Sequence, residues 1–208
     1  IAGATVQLFD QNGNLAGEVE TGADGSFSFN NLAQGSYSLV EVQPSGYFDG
    51  LEMVGSAGGT ADPSQDAING IVIGSGTHST GNKFGELRPG SITGRVHADL
   101  DGDCELDPNE SGIAGVTIEL LSADGSTVLA TTQTDADGNY RFDGLMPGTY
   151  GIREVQPDGY FDGADHVGTG QGTQTADDTI TGIAVGSDQT AADYNFCEVP
   201  HSSIKGYV

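Results

Sequence analysis

The sequence predicts an all-β fold made of two tandem β-sandwich modules. Three observations carry that expectation. Turn dipeptides recur at Asn12-Gly13, Asp24-Gly25, Asn69-Gly70, Asp124-Gly125 and Asp137-Gly138. Short alternating runs lie between such turns, as in Tyr37-Ser38-Leu39-Val40-Glu41-Val42 and Val116-Thr117-Ile118-Glu119-Leu120. Alternation sends every second side chain to one face, and Asn-Gly or Asp-Gly supplies the positive φ that tight hairpin turns need. The third observation is an internal repeat. Glu41–Gly50 recurs as Glu154–Gly163 with one change, Ala23–Phe29 recurs as Ala136–Phe142, and Phe84-Gly85-Glu86 recurs as Phe196-Cys197-Glu198. No segment keeps a helical period over three turns. A length of 208 residues fits two domains of about 100 residues each, large enough for one modest core apiece.

Taken in order, the first module is expected over 1–90. Its opening residues Ile1–Val6 match Ile113–Ile118, so it lacks the strand that opens the second copy. The second module, 91–200, begins with that strand, Ser91-Ile92-Thr93-Gly94-Arg95-Val96. Residues 97–112 follow and have no counterpart in the first copy. The segment 201–208 contains Ser203-Ile204-Lys205-Gly206-Tyr207-Val208, which repeats Ser91–Val96 at an offset of 112 (Ser203 against Ser91). That segment has the sequence to fill the vacant strand position of the first module in a neighbouring copy. Such a head-to-tail, heterologous contact generates an open filament. The other reading is a continuous tandem array of which this chain is a stalk or spacer piece. Ile1 in place of Met reads as a processed chain or a window from a longer one.

Charge and cysteines bound the partners. Thirty acidic residues stand against 6 basic ones, for a net charge of −24. Such a surface repels nucleic acid and anionic membranes and attracts divalent cations, while much of the charge serves as a solvated surface. No apolar run is long enough for a membrane-spanning helix. Cys104 lies in the unmatched segment and Cys197 in the last strand of the same module; the first copy has Gly85 in place of Cys197 and lacks the segment. Their joint presence points to an intradomain disulfide and an oxidising, extracellular setting. Two unrelated buried thiols are the alternative.

The acidic segment is the clearest chemical motif. With Asp99 as position 1, carboxylates fall at 1, 3, 5, 7, 9 and 12: Asp99, Asp101, Asp103, Glu105, Asp107 and Glu110. Ca²⁺ takes six to eight oxygens in a flexible shell, and this spacing wraps a short loop around one ion, with position 7 usually giving its carbonyl. Mg²⁺ keeps several of its waters and fits so many carboxylates poorly. The spacing departs from the EF-hand loop at position 6, where Cys104 replaces Gly, and Gly102 is expected to shift the turn. Weaker pairs, Asp49 with Asp66 and Asp162 with Asp178, either close long loops over a further cation or are ordinary turn aspartates.

A resemblance then becomes specific. Together with the acidic loop, the ordered motifs Glu110-x-Gly112-Ile113-x-Gly115-Val116-Thr117, Asp137-Gly138-x-Tyr140-x-Phe142, Leu145-x-Pro147-Gly148-x-Tyr150, Glu154-x-x-Pro157-x-Gly159-Tyr160 and Tyr194-Asn195-Phe196 resemble the B-type repeats of serine-aspartate-repeat surface proteins. These are relatives of collagen-adhesin B-type domains. The resemblance implies an Ig-like or transthyretin-like sandwich and an extracellular stalk module, often rigidified by calcium. Some collagen-adhesin relatives carry a Lys–Asn isopeptide bond promoted by a buried Glu. Glu41 and Glu154 match that Glu, but the Lys is missing: the inward phase of the opening strand reads Ile92, Gly94, Val96, and Lys205 falls on the opposite phase. Glu154 is therefore expected to be a hydrogen-bonded carboxylate at a strand end.

Enzyme chemistry finds little support. His78, His97, His166 and His201 lack metal-ligand spacing, and no Gly-x-Ser-x-Gly elbow occurs. Trp is absent, which removes the usual aromatic platform for sugars in a cleft. The functional expectation is a calcium-stabilised extracellular rod that polymerises with copies of itself. The rival is a spacer of a large adhesin that binds a ligand or glycan; Asn109-Glu110-Ser111 is also a formal glycosylation sequon.

Overall fold

The computed structural model describes residues 1–207. Its regular elements are all strands, and the chain divides into two compact units, Ile1–Arg88 and Pro89–Val208. Among the described residues, no helix is long and apolar enough to cross a membrane.

The first unit holds β1 (Thr5–Asp10), β2 (Leu15–Glu20), β3 (Gly35–Val42), β4 (Phe48–Asp49), β5 (Thr60–Asp62), β6 (Ala67–Ile73) and β7 (Glu86–Leu87). The second holds β8 (Gly90–Ala98), β9 (Thr117–Leu121), β10 (Val128–Gln133), β11 (Asn139–Leu145), β12 (Gly148–Glu154), β13 (Tyr160–Asp162), β14 (Thr173–Ala176), β15 (Thr179–Val185) and β16 (Thr190–Pro200). Each unit has one five-stranded sheet of the same order: β2-β1-β3-β6-β5 in the first and β10-β9-β12-β15-β14 in the second.

The second unit completes a sandwich with a four-stranded sheet, β11-β8-β16-β13. Its core draws on both sheets: Ile118, Leu120, Ile152, Ile180 and Ile183 from one, and Ile92, Val96, Tyr140, Phe142, Tyr194 and Phe196 from the other. The strand β8 lies between β11 and β16, antiparallel to the first and parallel to the second. Gly94 lets the strands close up. A Cβ there would stand 1.7 Å from the Tyr194 carbonyl oxygen and 2.5 Å from the Tyr140 hydroxyl, which itself donates to that carbonyl at 2.7 Å.

The first unit keeps the inner face of its five-stranded sheet, with Val6, Leu8, Tyr37, Leu39, Ile68 and Ile71 buried. It does not build the second sheet. Residues 26–30, which match the start of β11, carry no strand, and of the stretch that matches β16 only Glu86–Leu87 and a bridge at Lys83 are paired. The cause is local. In the second unit both neighbouring strands find ladder partners on β8; among the described residues of the first unit no middle strand offers that edge a partner. Phe27, Phe29, Leu32 and Phe84 consequently stay only partly buried. Their counterparts Tyr140, Phe142, Leu145 and Phe196 are buried.

Candidate metal centre in the acidic loop

The acidic segment leaves β8 at Ala98 and returns at Gly112, where a bridge to His97 closes it. Two buried carboxylates organise the turn. Asp99, 2% exposed, accepts hydrogen bonds from the N–H groups of Asp101 (3.1 Å), Gly102 (2.8 Å) and Cys104 (3.2 Å). Those N–H groups, Gly102 foremost, hold its carboxyl below the usual range. Glu110, also buried, accepts from Leu100 at 2.9 Å and from Asp107 at 3.1 Å. The segment is thus folded around its own first and twelfth positions.

Oxygens of Asp99, Asp101 and Glu110 lie within 4.8 Å of one another. Asp101 is pushed up, chiefly by the charge of Asp103 and also by Asp107 and Asp99, so these carboxylates crowd together. Asp103 accepts from the Glu105 N–H at 2.8 Å, while the Glu105 side chain is exposed. Asp99, Asp101 and Glu110 therefore converge, the charges of Asp103 and Asp107 act on Asp101, and the Glu105 backbone is tied to Asp103. The group offers acceptor oxygens only, which suits a hard cation, and the spread of Asp99, Asp101 and Glu110 matches the width of a Ca²⁺ shell with metal–oxygen distances of about 2.4 Å.

Position 6 is solved with an unusual residue. Cys104 takes a left-handed φ of 55°, after Gly102 at 89°, so both residues make the turn. Its sulfur is bonded to Cys197 on β16, with Cα atoms 5.6 Å apart and a sequence separation of 93. The disulfide pins the loop to the strand that neighbours β8. Gly163 is obligatory beside it, since a Cβ would come within 2.7 Å of the Cys197 sulfur and 2.9 Å of that of Cys104. Under the loop, His97 is buried 3.8 Å from Glu110, and burial pushes its pKa down.

The segment expected to assemble chains behaves differently from its template. Residues 201–207 form no strand, and Ile204 and Tyr207 are fully exposed. Ser203, Ile204, Lys205, Gly206 and Tyr207 are described; Val208 lies outside the described residues.

The weaker aspartate pairs are brought together, and with more company than their spacing suggested. Asp49 and Asp66 share a cluster with Glu52, and Glu41, Asp66 and Glu86 form another. In the second unit Glu154 and Glu198 converge on Asp178, with Asp162 and Asp165 beside it. The expectation for Glu154 needs correction: both of its oxygens are buried without a hydrogen-bond partner. One signal was available in the sequence. Glu41 continues the inward phase of Tyr37 and Leu39, and Glu154 that of Ile152, which places a carboxylate on a core-facing position in both copies.

A family model described as the SdrD B-like domain matches residues 1–85 and again 90–196. Serine-aspartate repeat-containing protein D of Staphylococcus aureus (strain Newman) is 33% identical over 212 residues, a match taking in 100% of this chain and 16% of that protein. Serine-aspartate repeat-containing protein F of Staphylococcus epidermidis (strain ATCC 12228 / FDA PCI 1200) is 35% identical over 159 residues, 76% of this chain and 10% of the relative. The chain thus spans only a small part of these relatives. Among solved structures, the minor pilin GBS52 of Streptococcus agalactiae aligns with a TM-score of 0.39 at 18% identity, covering 100% of this chain and 87% of the pilin. The shaft pilin SpaA of Lactobacillus rhamnosus GG aligns with a TM-score of 0.39 at 10% identity, covering 99% and 90%.

Proposed function

Because the chain belongs to the SdrD B-like domain family, we propose that it is a structural element of an extracellular protein, stabilised by Ca²⁺ and joined head to tail by strand complementation. The chain is extracellular, and its role is mechanical and architectural rather than catalytic.

One observation carries the assembly reading: the first unit has the flanks of a second sheet but not the strand between them. Phe27, Phe29 and Phe84 are left half-covered where Tyr140, Phe142 and Phe196 are sealed by β8. A strand with the sequence of Ser91–Val96 fits that place. It brings Ile and Val to the core and a Gly where the neighbouring backbone comes close. Ser203–Val208 repeats its Ser, Ile, Gly and Val, with Lys205 for Thr93 and Tyr207 for Arg95, and is exposed as far as it is described. Burying one Ile side chain contributes about 2–3 kcal/mol, and the restored ladder satisfies the orphaned backbone groups. A neighbouring copy supplying this strand makes a contact that repeats without closing.

Calcium has a supporting role in this reading. Asp99, Asp101 and Glu110 would hold the ion, with Asp103, Asp107 and the Glu105 carbonyl completing the shell. The bound ion offsets the repulsion among the carboxylates and fixes the loop that the disulfide already tethers. An ion at 100 times its Kd stabilises the folded unit by about 2.7 kcal/mol.

Electron microscopy of the full chain and of a chain ending at Val199, each with Ca²⁺ and after chelation, tests the proposal. Filaments from the full chain alone identify the C-terminal strand as the joint. Monomers from both overturn complementation between chains. The chain then serves as a spacer of a larger adhesin.

A further inference from the structure

Each unit contains a cluster of five carboxylates built to one plan, apart from the 97–112 loop. In the second unit Glu154 comes from the end of β12 and Asp162 from the end of β13. Asp165 follows in the next loop, Asp178 sits in the turn between β14 and β15, and Glu198 stands on β16. In the first unit the same places are held by Glu41 on β3, Asp49 on β4, Glu52 after it, Asp66 between β5 and β6, and Glu86 on β7. Both turn aspartates take a left-handed φ, 49° at Asp66 and 59° at Asp178. Each also accepts, through its carbonyl, the N–H of the strand-end glutamate: Glu41 to Asp66 at 3.0 Å and Glu154 to Asp178 at 2.9 Å.

The arrangement sets like charges against each other. Asp162 is paired directly across the ladder with Glu198, and Asp49 with Glu86. Two carboxylates opposite each other on a sheet are destabilising. The deepest members are sealed from water: Glu198 is 0% exposed, Glu154 3% and Glu41 7%. Their oxygens are only partly satisfied by the protein, which pairs Glu41 with Glu86 and Asp178 with Asp162. Both oxygens of Glu154, Asp66 and Glu52 lack a hydrogen-bond partner, as does one each on Glu41, Asp49, Glu86, Asp165, Asp178 and Glu198. The glutamines Gln43 and Gln156 donate to Oε2 of Glu86 and of Glu198, leaving Oε1 of each without a partner. Burial, reinforced by the neighbouring charges, pushes Glu154 up to about 10, Glu198 to about 8, and Glu41, Asp66, Asp165 and Asp178 to about 7.

We propose that each of these clusters is a cation site that takes at least one hard divalent ion of the Ca²⁺ type. Every donor is a carboxylate oxygen, with no His or Cys among them, which selects against soft metals. The oxygens of Glu154, Asp178 and Glu198 lie within 4.8 Å of one another, as do those of Glu41, Asp66 and Glu86. Two ligands on opposite sides of a Ca²⁺ ion are about 4.8 Å apart, so the shell needs little rearrangement. In the first unit Asp49, Glu52 and Asp66 form a further triad that shares Asp66. The ion has a structural consequence. Glu154 lies on the five-stranded sheet and Asp178 in its β14–β15 turn, while Asp162 and Glu198 lie on the other sheet, so the ion staples the two sheets of the sandwich. In the first unit it binds β3 and the β5–β6 turn to the β4–β7 pair, which is the piece of the second sheet that persists without a middle strand.

Counting bound Ca²⁺ by native mass spectrometry tests this on the full chain. The reference is a loop variant, Asp101→Asn/Asp103→Asn/Asp107→Asn, whose substitutions avoid the two organising carboxylates. It should keep at least one ion per unit. In that background Glu52→Gln/Asp66→Asn should lose the ion of the first unit, and Asp165→Asn/Asp178→Asn that of the second. Both should melt no lower than the reference in chelator, because they relieve repulsion, and lower than it in Ca²⁺. A loop variant that binds no Ca²⁺ overturns the clusters while sparing the loop. An ion count unchanged by the cluster substitutions also overturns them. A count equal in the wild type and the loop variant overturns the loop instead.

Discussion

Breaking the Cys104–Cys197 bond tests how the acidic loop is held. The bond closes 93 residues of sequence. Loop-closure entropy for such a span is about 16 cal/mol/K, or about 4.6 kcal/mol at 25 °C. Replacing both residues with Ala also leaves a small void at Cys197, which is 1% exposed, for roughly 1 kcal/mol more. At about 4 °C per kcal/mol, the second unit should melt roughly 20 °C lower in saturating Ca²⁺. The first unit has no disulfide and serves as an internal control. Scanning calorimetry would follow the two transitions, and hydrogen exchange read by mass spectrometry would assign them. Protection should fall along β8, β16 and the loop between Asp99 and Glu110. A loss below about 5 °C would refute the reasoning, as would an equal loss in residues 1–88. The first result would mean that strand pairing already confines the loop; the second, that the substitution acts through something other than the closed span.

Other substitutions probe the packing around β8. Gly94→Ala should cost about 3 kcal/mol or more, because its Cβ meets the Tyr194 carbonyl at 1.7 Å; urea titration would show it as a lower midpoint. Tyr140→Phe removes a buried 2.7 Å hydrogen bond and should cost about 1–2 kcal/mol by the same titration. The carboxylate clusters predict an inverted pH response in chelator. Glu154 is raised from 4.5 to about 10, and Asp165 and Asp178 from 3.8 to about 7. A carboxyl with a higher pKa folded than unfolded binds its proton more tightly when folded. Its stabilisation is complete below the unfolded value and is lost as pH rises through the folded one. Melting temperature in chelator should therefore climb as pH falls from 9 to 5, and a fall over that interval would contradict the assignment. Saturating Ca²⁺ should flatten or reverse the slope, because protons then compete with the ion.

The strands were legible where one face is buried. Val116–Leu120 and Tyr37–Val42 alternate cleanly, and both became strands with buried inward residues. The same rule misleads for Ser26-Phe27-Ser28-Phe29, which alternates as well as its counterpart in β11 yet forms no strand. A ladder needs a partner, and no local pattern reports that the partner is missing; only the repeat offset does. The acidic loop was readable because its carboxylates come from one short run. The five-carboxylate clusters were half readable. The pairs Asp49 with Asp66 and Asp162 with Asp178 stood out, but Glu52, Glu86, Asp165 and Glu198 arrive from elements far apart in sequence. Their meeting depends on the topology of both sheets. Glu154 reads as a strand-end carboxylate from its place before the Pro-x-Gly-Tyr motif, although its phase, shared with Ile152, turns it to the core.

The parallel pairing of β8 with β16 joins the first and last strands of the second unit. Seven residue pairs span Ser91–Thr190 to Ala98–Glu198, with one register shift between Ala191 and Tyr194. A pull on Gly90 in one direction and on Pro200 in the other slides these strands lengthwise past each other. The inter-strand bonds are then strained together rather than opened one at a time like a zipper. Cys104–Cys197 ties the loop beyond the far end of β8 to β16, so it limits how much slack the chain can release once that clamp slips. A unit wired this way resists shear along its strands far better than peeling across them.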